Sequence, residues 1–242
     1  PLDRAIAERA YRNADRIISV SSALAGRLND NFGIKAPVIS NVADVSNFGY
    51  HARQYDGQSS ESVFRFVSVG NLIPLKHFHV LLDAFALAFP SDGRVLLTIV
   101  GGGPESHNLR KKAHELGISE HVCFTGAVPR DRVRDEMYAA HAFVLASSTE
   151  TFGLVYAEAM ATGLPVIATE CGGPQDFVNE YNGILVPVGD VRKLADALVR
   201  MKNSAGWFDG REISEGIIRR FSEKTIGEQV LDVMAQAVGD HL

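Results

Sequence analysis

The sequence predicts an α/β protein built on a parallel sheet with helices on both faces. Three observations carry that prediction. From Val63 onward, short apolar runs alternate with segments of helical periodicity. Most of the runs end in a loop bearing glycine, serine or proline, such as Gly70, Gly101-Gly102-Gly103-Pro104 and Gly126. In the middle, residues 141–168 read as strand, tight loop, helix and strand again. In such sheets ligands bind beyond the carboxyl ends of the strands, which is where each of these loops falls.

In chain order, Leu2, Ile6, Ala10 and Tyr11 among charges predict a helix over residues 1–13. Residues 15–20 read as a strand, Ser21-Ser22 as the cap of a helix reaching about Asn31, and Val38-Ile39-Ser40 as a second short strand. Residues 51–62 are polar, with Gly57, Ser59, Ser60 and Ser62, and read as a linker or long loop. Strands follow at 64–69, 95–100 and 122–124, with helices at 75–89, through Leu116, and at 130–139. After residue 168 come a short helix behind Gly172-Gly173-Pro174, a strand at 183–186, and helices at 191–201, 207–220 and 223–237. The predicted division is 1–44, a linker at 45–62, a main domain at 63–222 and a C-terminal helix at 223–242.

A chain of 242 residues with 46% hydrophobic and 22% charged residues has an ordinary globular composition. A net charge of −5 argues against a nucleic-acid partner, and any phosphate site must be built from local donors. Cys123 and Cys171 suggest reduced thiols and a cytoplasmic setting rather than a disulfide framework. No apolar run approaches the roughly 20 residues of a transmembrane helix, and any membrane association is expected to be peripheral, at the inner membrane face. The start at Pro1, already in a helical pattern, suggests a piece of a longer chain.

The chemistry concentrates in residues 147–165. Glu150 falls in the loop at the carboxyl end of a strand, and Glu158 inside a helix whose other residues look like core. A buried carboxylate is rare unless something pairs with it. The turn between strand and helix directs backbone N–H groups and a positive dipole end at whatever lies above it. Two acids beside such a turn suit a ligand carrying both hydroxyls and phosphate. Spacing alone is equally compatible with a solvated Glu150 and a surface Glu158.

The run from Glu150 through Phe152-Gly153-Leu154, Glu158-Ala159-Met160-Ala161, Gly163 and Pro165-Val166-Ile167-Ala168 closely resembles the Glu-x7-Glu signature of retaining glycosyltransferases of family 4. The resemblance implies a Rossmann-like domain, the C-terminal half of a two-Rossmann (GT-B) glycosyltransferase. It also implies a nucleotide-diphosphate sugar as donor substrate, no cofactor and no metal. An N-terminal acceptor domain would be the missing partner, with residues 1–44 as its end. The Asn41-Val42-Ala43-Asp44 turn matches the family's Asn-Gly-Val-Asp without its glycine.

By the same resemblance, Glu158 would bind the ribose hydroxyls and Glu150 the hydroxyls of the donor sugar. Backbone groups of Thr151, Phe152, Gly153 and Leu154 would hold sugar and phosphate. Lys76 would stabilise the departing diphosphate, with Gly70 giving a sharp exit from its strand. Asn71 stands where the family has arginine and His77 where it has glycine. An asparagine cannot reproduce the planar bidentate fork of arginine, so a weaker hold on phosphate is expected. His77 and His79 read as surface or packing residues, not metal ligands.

The Gly101-Gly102-Gly103-Pro104 loop resembles the family's Gly-x-Gly-Pro, which makes Gly103 a candidate contact, although a tight structural turn explains it equally well. The loop at 124–129 resembles the one that meets the nucleobase, which brings in Val128 and Arg130; an ordinary turn accounts for it as well. Two other functions fit the same pattern: a non-catalytic nucleotide-binding module of a two-chain transferase, and a sugar-nucleotide epimerase. An oxidoreductase is disfavoured, because the six-residue dinucleotide fingerprint is absent.

Overall fold

In the computed structural model, which describes residues 2–53, 62–90 and 92–239, six parallel strands form a single sheet. They are β1 (Phe64–Val69), β2 (Val95–Val100), β3 (Val122–Gly126), β4 (Ala142–Leu145), β5 (Val166–Thr169) and β6 (Gly183–Val186). Their spatial order is β3-β2-β1-β4-β5-β6. The chain therefore builds outward from β1 to one edge, returns, and starts again at β4 beside β1. That reversal opens a crevice above the carboxyl ends of β1 and β4, the switch point at which doubly wound sheets place ligands.

Nine α-helices are described. They are α1 (Leu2–Arg12), α2 (Ser22–Phe32), α3 (Phe78–Ala88), α4 (Ser106–Glu115), α5 (Arg130–Tyr138), α6 (Leu154–Ala161), α7 (Val191–Ser204), α8 (Gly210–Phe221) and α9 (Glu223–Gly239). The central strands β4 and β5 are buried at every residue, as expected when helices cover both faces. Helix α3 packs against α7, and α6 against α8. Helix α6 is apolar nearly all round, with Tyr156, Ala157, Ala159, Met160 and Ala161 buried. A helix of that kind belongs in the core. Tyr156 anchors it by donating to the Leu145 carbonyl at 2.8 Å.

Three elements differ from the sequence reading. The expected strands at 15–20 and 38–40 shrink to one parallel bridge, Ser19 to Val38. Pro37 has no N–H to extend the ladder, and the Ser19 hydroxyl turns to the Ser21 carbonyl instead. The helix expected at 75–89 begins with a separate 3-10 turn, Pro74–Lys76, because His77 takes a left-handed conformation at φ 48°. The segment behind Gly172 is a 3-10 turn, Gly173–Asp176. The cap at Ser21 forms as expected, accepting from the Leu24 amide at 3.3 Å.

Of the expected linker at 45–62, residues 54–61 lie outside the described residues. The part before them is docked on the sheet domain. Phe48 is buried, and His51 stacks on Tyr138 with ring centroids 4.4 Å apart. Arg53 donates to the Thr162 carbonyl at 2.7 Å and the Met137 carbonyl at 3.0 Å, near the C-terminal ends of α6 and α5. Cationic donors suit such helix ends.

At the opposite end of the sheet from the crevice, His141 precedes β4, and its Nδ1 accepts from the Arg65 amide at 3.0 Å. That bond requires an unprotonated nitrogen. Burial, with Arg65 and Arg53 adding like charge, depresses the imidazole to about 4. The unfolded chain, with an ordinary histidine at about 6.5, binds the extra proton first on acidification. Stability is thus expected to hold above that value and to fall as pH drops from there toward 4. Urea midpoints across this range, compared with His141→Asn, isolate the component: Asn offers a non-titrating acceptor, so its curve is flatter. Parallel curves would exclude the assignment.

Candidate functional site

A cleft of about 510 Å³ lies above the switch point. Its walls come from the loops after β1, β2, β3 and β4 and from the first turns of α6. Glu150, Glu158, Lys76 and Arg130 all line it, and they meet there as two acid–base pairs.

The first pair spans the switch point itself. Lys76, in the 3-10 turn after β1, donates to Glu150 Oε1 at 2.6 Å, and Glu150 sits in the loop after β4. The Ser147 hydroxyl donates to the same oxygen at 2.7 Å. The backbone of Glu150 is clamped as well. Its amide bonds to the Cys171 carbonyl and its carbonyl accepts from the Gly173 amide, both at 3.0 Å. The Gly172-Gly173 loop therefore supports the site from below. At the far end of that loop Asp176 accepts from the Ser22 amide, at the start of α2, at 2.7 Å.

The second pair lines the same cleft. Arg130, at the start of α5, donates to Glu158 Oε1 at 2.7 Å. The Glu158 side chain is only 10% exposed, whereas that of Arg130 is 60% exposed. Burial pushes the Glu158 carboxyl above its ordinary range, and hydrogen bonding and charge from Arg130 oppose that push. In return, the hydrogen bond that Arg130 donates to Glu158 raises the already high value of Arg130. The carboxylate thus pairs with a cation while its surroundings exclude most water.

Thr151, Phe152, Gly153 and Leu154 form the floor. The Phe152 ring packs against Phe177 and Phe221, so its main chain is what faces the cleft. Gly153 caps α6 in the left-handed region at φ 91°, where a side chain would run into Tyr156. That conformation turns the first amides of α6 toward the cleft, an arrangement suited to anions. Gly70, Asn71 and Val128 also line the walls.

Gly103 is placed differently from the other candidates. It does not line the cleft; it packs beneath the loop after β1, where an added Cβ would lie 2.5 Å from the Leu72 carbonyl oxygen. Its lack of a side chain lets two loops touch. Ser147 and Asp44 went unmarked in the sequence reading as site residues. A serine closing an apolar run three positions before Glu150 was the available signal for the first, and the Asn41-Val42-Ala43-Asp44 turn was the signal for the second. Among the described residues no group of three or more His, Cys, Asp or Glu side chains is placed to hold a metal ion. Cys123 and Cys171 are both free thiols.

Residues 56–207 match the family described as glycosyl transferases group 1. The chain belongs to that family. It is 31% identical over 230 residues to the lipopolysaccharide core biosynthesis glycosyltransferase LpsE of Rhizobium meliloti, covering 93% of this chain and 65% of that protein. It is 30% identical over 220 residues to a GDP-mannose-dependent phosphatidylinositol monomannoside mannosyltransferase of Mycobacterium tuberculosis, covering 83% of this chain and 56% of that one. The chain spans less than two thirds of the length of either curated relative.

Among solved structures, Anabaena HepE in complex with UDP and glucose superimposes with a TM-score of 0.82 at 24% identity, over 97% of this chain and 67% of that one. Staphylococcus aureus TarM, in a complex with UDP, gives a TM-score of 0.82 at 21% identity, over 95% of this chain and 45% of that one. This group 1 chain therefore has the Rossmann-like, GT-B type of fold. None of its described helices is long and apolar enough to cross a membrane.

Proposed function

We propose that this group 1 chain is the donor-binding half of a retaining glycosyltransferase of family 4 that uses a nucleotide-diphosphate sugar. The observation that carries the reading is that two carboxylates, Glu150 and Glu158, line one cleft beside the amino end of α6. In this reading Glu158 accepts hydrogen bonds from the ribose hydroxyls and Glu150 from the hydroxyls of the sugar. The α6 amides and Lys76 take the diphosphate. An ammonium has three donors, so Lys76 can keep Glu150 and still reach a phosphate oxygen.

On transfer, the anomeric carbon exchanges its bond to a phosphate oxygen for one to the acceptor's hydroxyl oxygen. The hydroxyl proton leaves with the nucleoside diphosphate. Charge grows on that departing group, and fixed positive groups aimed at it lower the barrier. Lys76 and the helix terminus supply this stabilisation, while Asn71 contributes a neutral donor only. An acceptor domain preceding the donor domain completes the enzyme, and residues 1–44 are its end. The 242 residues alone then bind donor and transfer little. The proposed setting is cytoplasmic, where nucleotide sugars are made available, with acceptor chemistry left to the other half.

Calorimetric titration with UDP, GDP, ADP and their sugar conjugates tests the reading. One base series is expected to bind at micromolar level or tighter, without added divalent metal. No binding by any of them would sink the proposal. The replacement of arginine by Asn71 favours one second reading, a nucleotide-binding module without turnover. Binding without transfer after the acceptor half is restored would select it.

A further inference from the structure

Glu158 is not held by Arg130 in isolation. The same Arg130 nitrogen, Nη2, that reaches Glu158 Oε1 at 2.7 Å also reaches Asp44 Oδ2 at 3.1 Å. Asp44 belongs to the turn at residues 41–48, far from both in sequence; it closes the Asn41-Val42-Ala43-Asp44 run but is not among the residues that line the cleft. The turn is firmly seated. Ala43 and Phe48 are each only 1% exposed, and the Ala43 amide donates to the Phe221 carbonyl at 3.0 Å. Asn47 donates to Asp44 at 2.9 Å and fixes the carboxylate from behind. The Phe48 ring lies under the Arg130 guanidinium, 5.1 Å from its centroid. A long, largely exposed arginine has many rotamers; a carboxylate on one side and an aromatic face below select the one that reaches Glu158.

We propose that Asp44 is a positioning residue of the ribose subsite, acting through Arg130 to orient the Glu158 carboxylate. The inference rests on the reading of Glu158 as the acceptor for ribose hydroxyls. Asp44 itself touches no substrate; with Oε1 of Glu158 engaged by a fixed guanidinium, the carboxylate plane is set and its remaining lone pairs have one direction. Without Asp44 the arginine swings toward solvent, and Glu158 keeps its place in the helix but loses its fixed orientation. The turn at 41–48 would thereby become part of the donor site although it precedes the sheet domain.

The test is discrimination between ribose and deoxyribose. UDP, GDP and ADP are titrated into the full chain, each beside its 2′-deoxy counterpart, and the tightest pair is carried forward. The wild type is expected to prefer the ribonucleotide by about tenfold, the effect of one hydrogen bond to a charged group. Asp44→Asn keeps the size of the side chain, removes its charge and should cut that preference to about threefold or less. Asp44→Glu should restore part of it. Arg130→Ala should match Asp44→Asn, and the double variant should be no worse than Arg130→Ala alone, as expected of residues acting in series.

A merely structural role would weaken both nucleotides equally and leave their ratio unchanged; that result, or additive losses in the double variant, overturns the proposal. Thermal melts of each variant identify any that has lost its fold; if Asp44→Asn is one of them, Asp44→Ser takes its place in the comparison with Arg130→Ala. A wild type with no ribose preference, unaltered by Glu158→Ala, overturns the reading of Glu158 itself and the proposal with it. A wild-type preference abolished by Glu158→Ala but kept by Asp44→Asn and Arg130→Ala removes the proposal only.

Discussion

Replacing Lys76 by alanine, with the acceptor half present, is expected to lower glycosyl transfer by about 10²–10³-fold, the usual loss when one fixed stabiliser of developing charge is removed. The geometry makes the expectation specific. Lys76 is held at 2.6 Å from Glu150 and is only 21% exposed on its side chain, so the ammonium is already oriented before donor arrives. Preorganisation of this kind acts on the charge that develops as the diphosphate departs, more than on the ground state. The loss should therefore appear mainly in kcat, with a smaller change in KM. Asn71 cannot compensate, since it offers neutral donors to a charged group. Glu150 keeps its bond from Ser147 at 2.7 Å, so the loop stays in place and the melting temperature changes little. A kcat within about threefold of wild type, measured in steady state, would remove Lys76 from the mechanism.

Glu158→Ala should weaken nucleotide binding by about 1–3 kcal/mol, roughly 5- to 150-fold in Kd. The usual objection to such a variant is that it unfolds the protein, because breaking a buried ion pair strands a charge. Here the charge left behind is Arg130, which is 60% exposed and retains Asp44. It stays solvated. Glu158 is moreover a carboxylate that burial has pushed upward, so its removal relieves a desolvation cost. Folding and binding are thus expected to separate: the melt is kept while the affinity falls. Calorimetry against the tightest-binding nucleoside diphosphate reads the second, and unchanged affinity in a folded variant would withdraw Glu158 from the ribose subsite.

Much of this site was legible in the chain because its parts are local. The loop and helix from Glu150 to Ala161 form one continuous strand-to-helix unit, so a spacing of residues fixed how they are presented. The buried character of α6 and the placement of loops at strand ends likewise follow from short-range patterns. Gly103 shows what such patterns leave out: glycine signals close approach, and here the Leu72 backbone is what approaches it. The strands expected near 18 and 39 failed because one bridge forms beside Pro37, where a donor is missing.

The sequence by itself determined the alternation of strands and helices, the two acids on one loop–helix unit and Lys76 at the end of the first strand of the sheet. What only the tertiary structure decided was which cation meets which acid. Lys76 and Glu150 are 74 residues apart, Arg130 and Glu158 28, and Asp44 and Arg130 86. Those encounters depend on β4 returning to lie beside β1 and on the turn at 41–48 seating Phe48 against the domain. Pairings across a sheet reversal arise from the packing of whole elements, a long-range outcome that residue spacing does not encode.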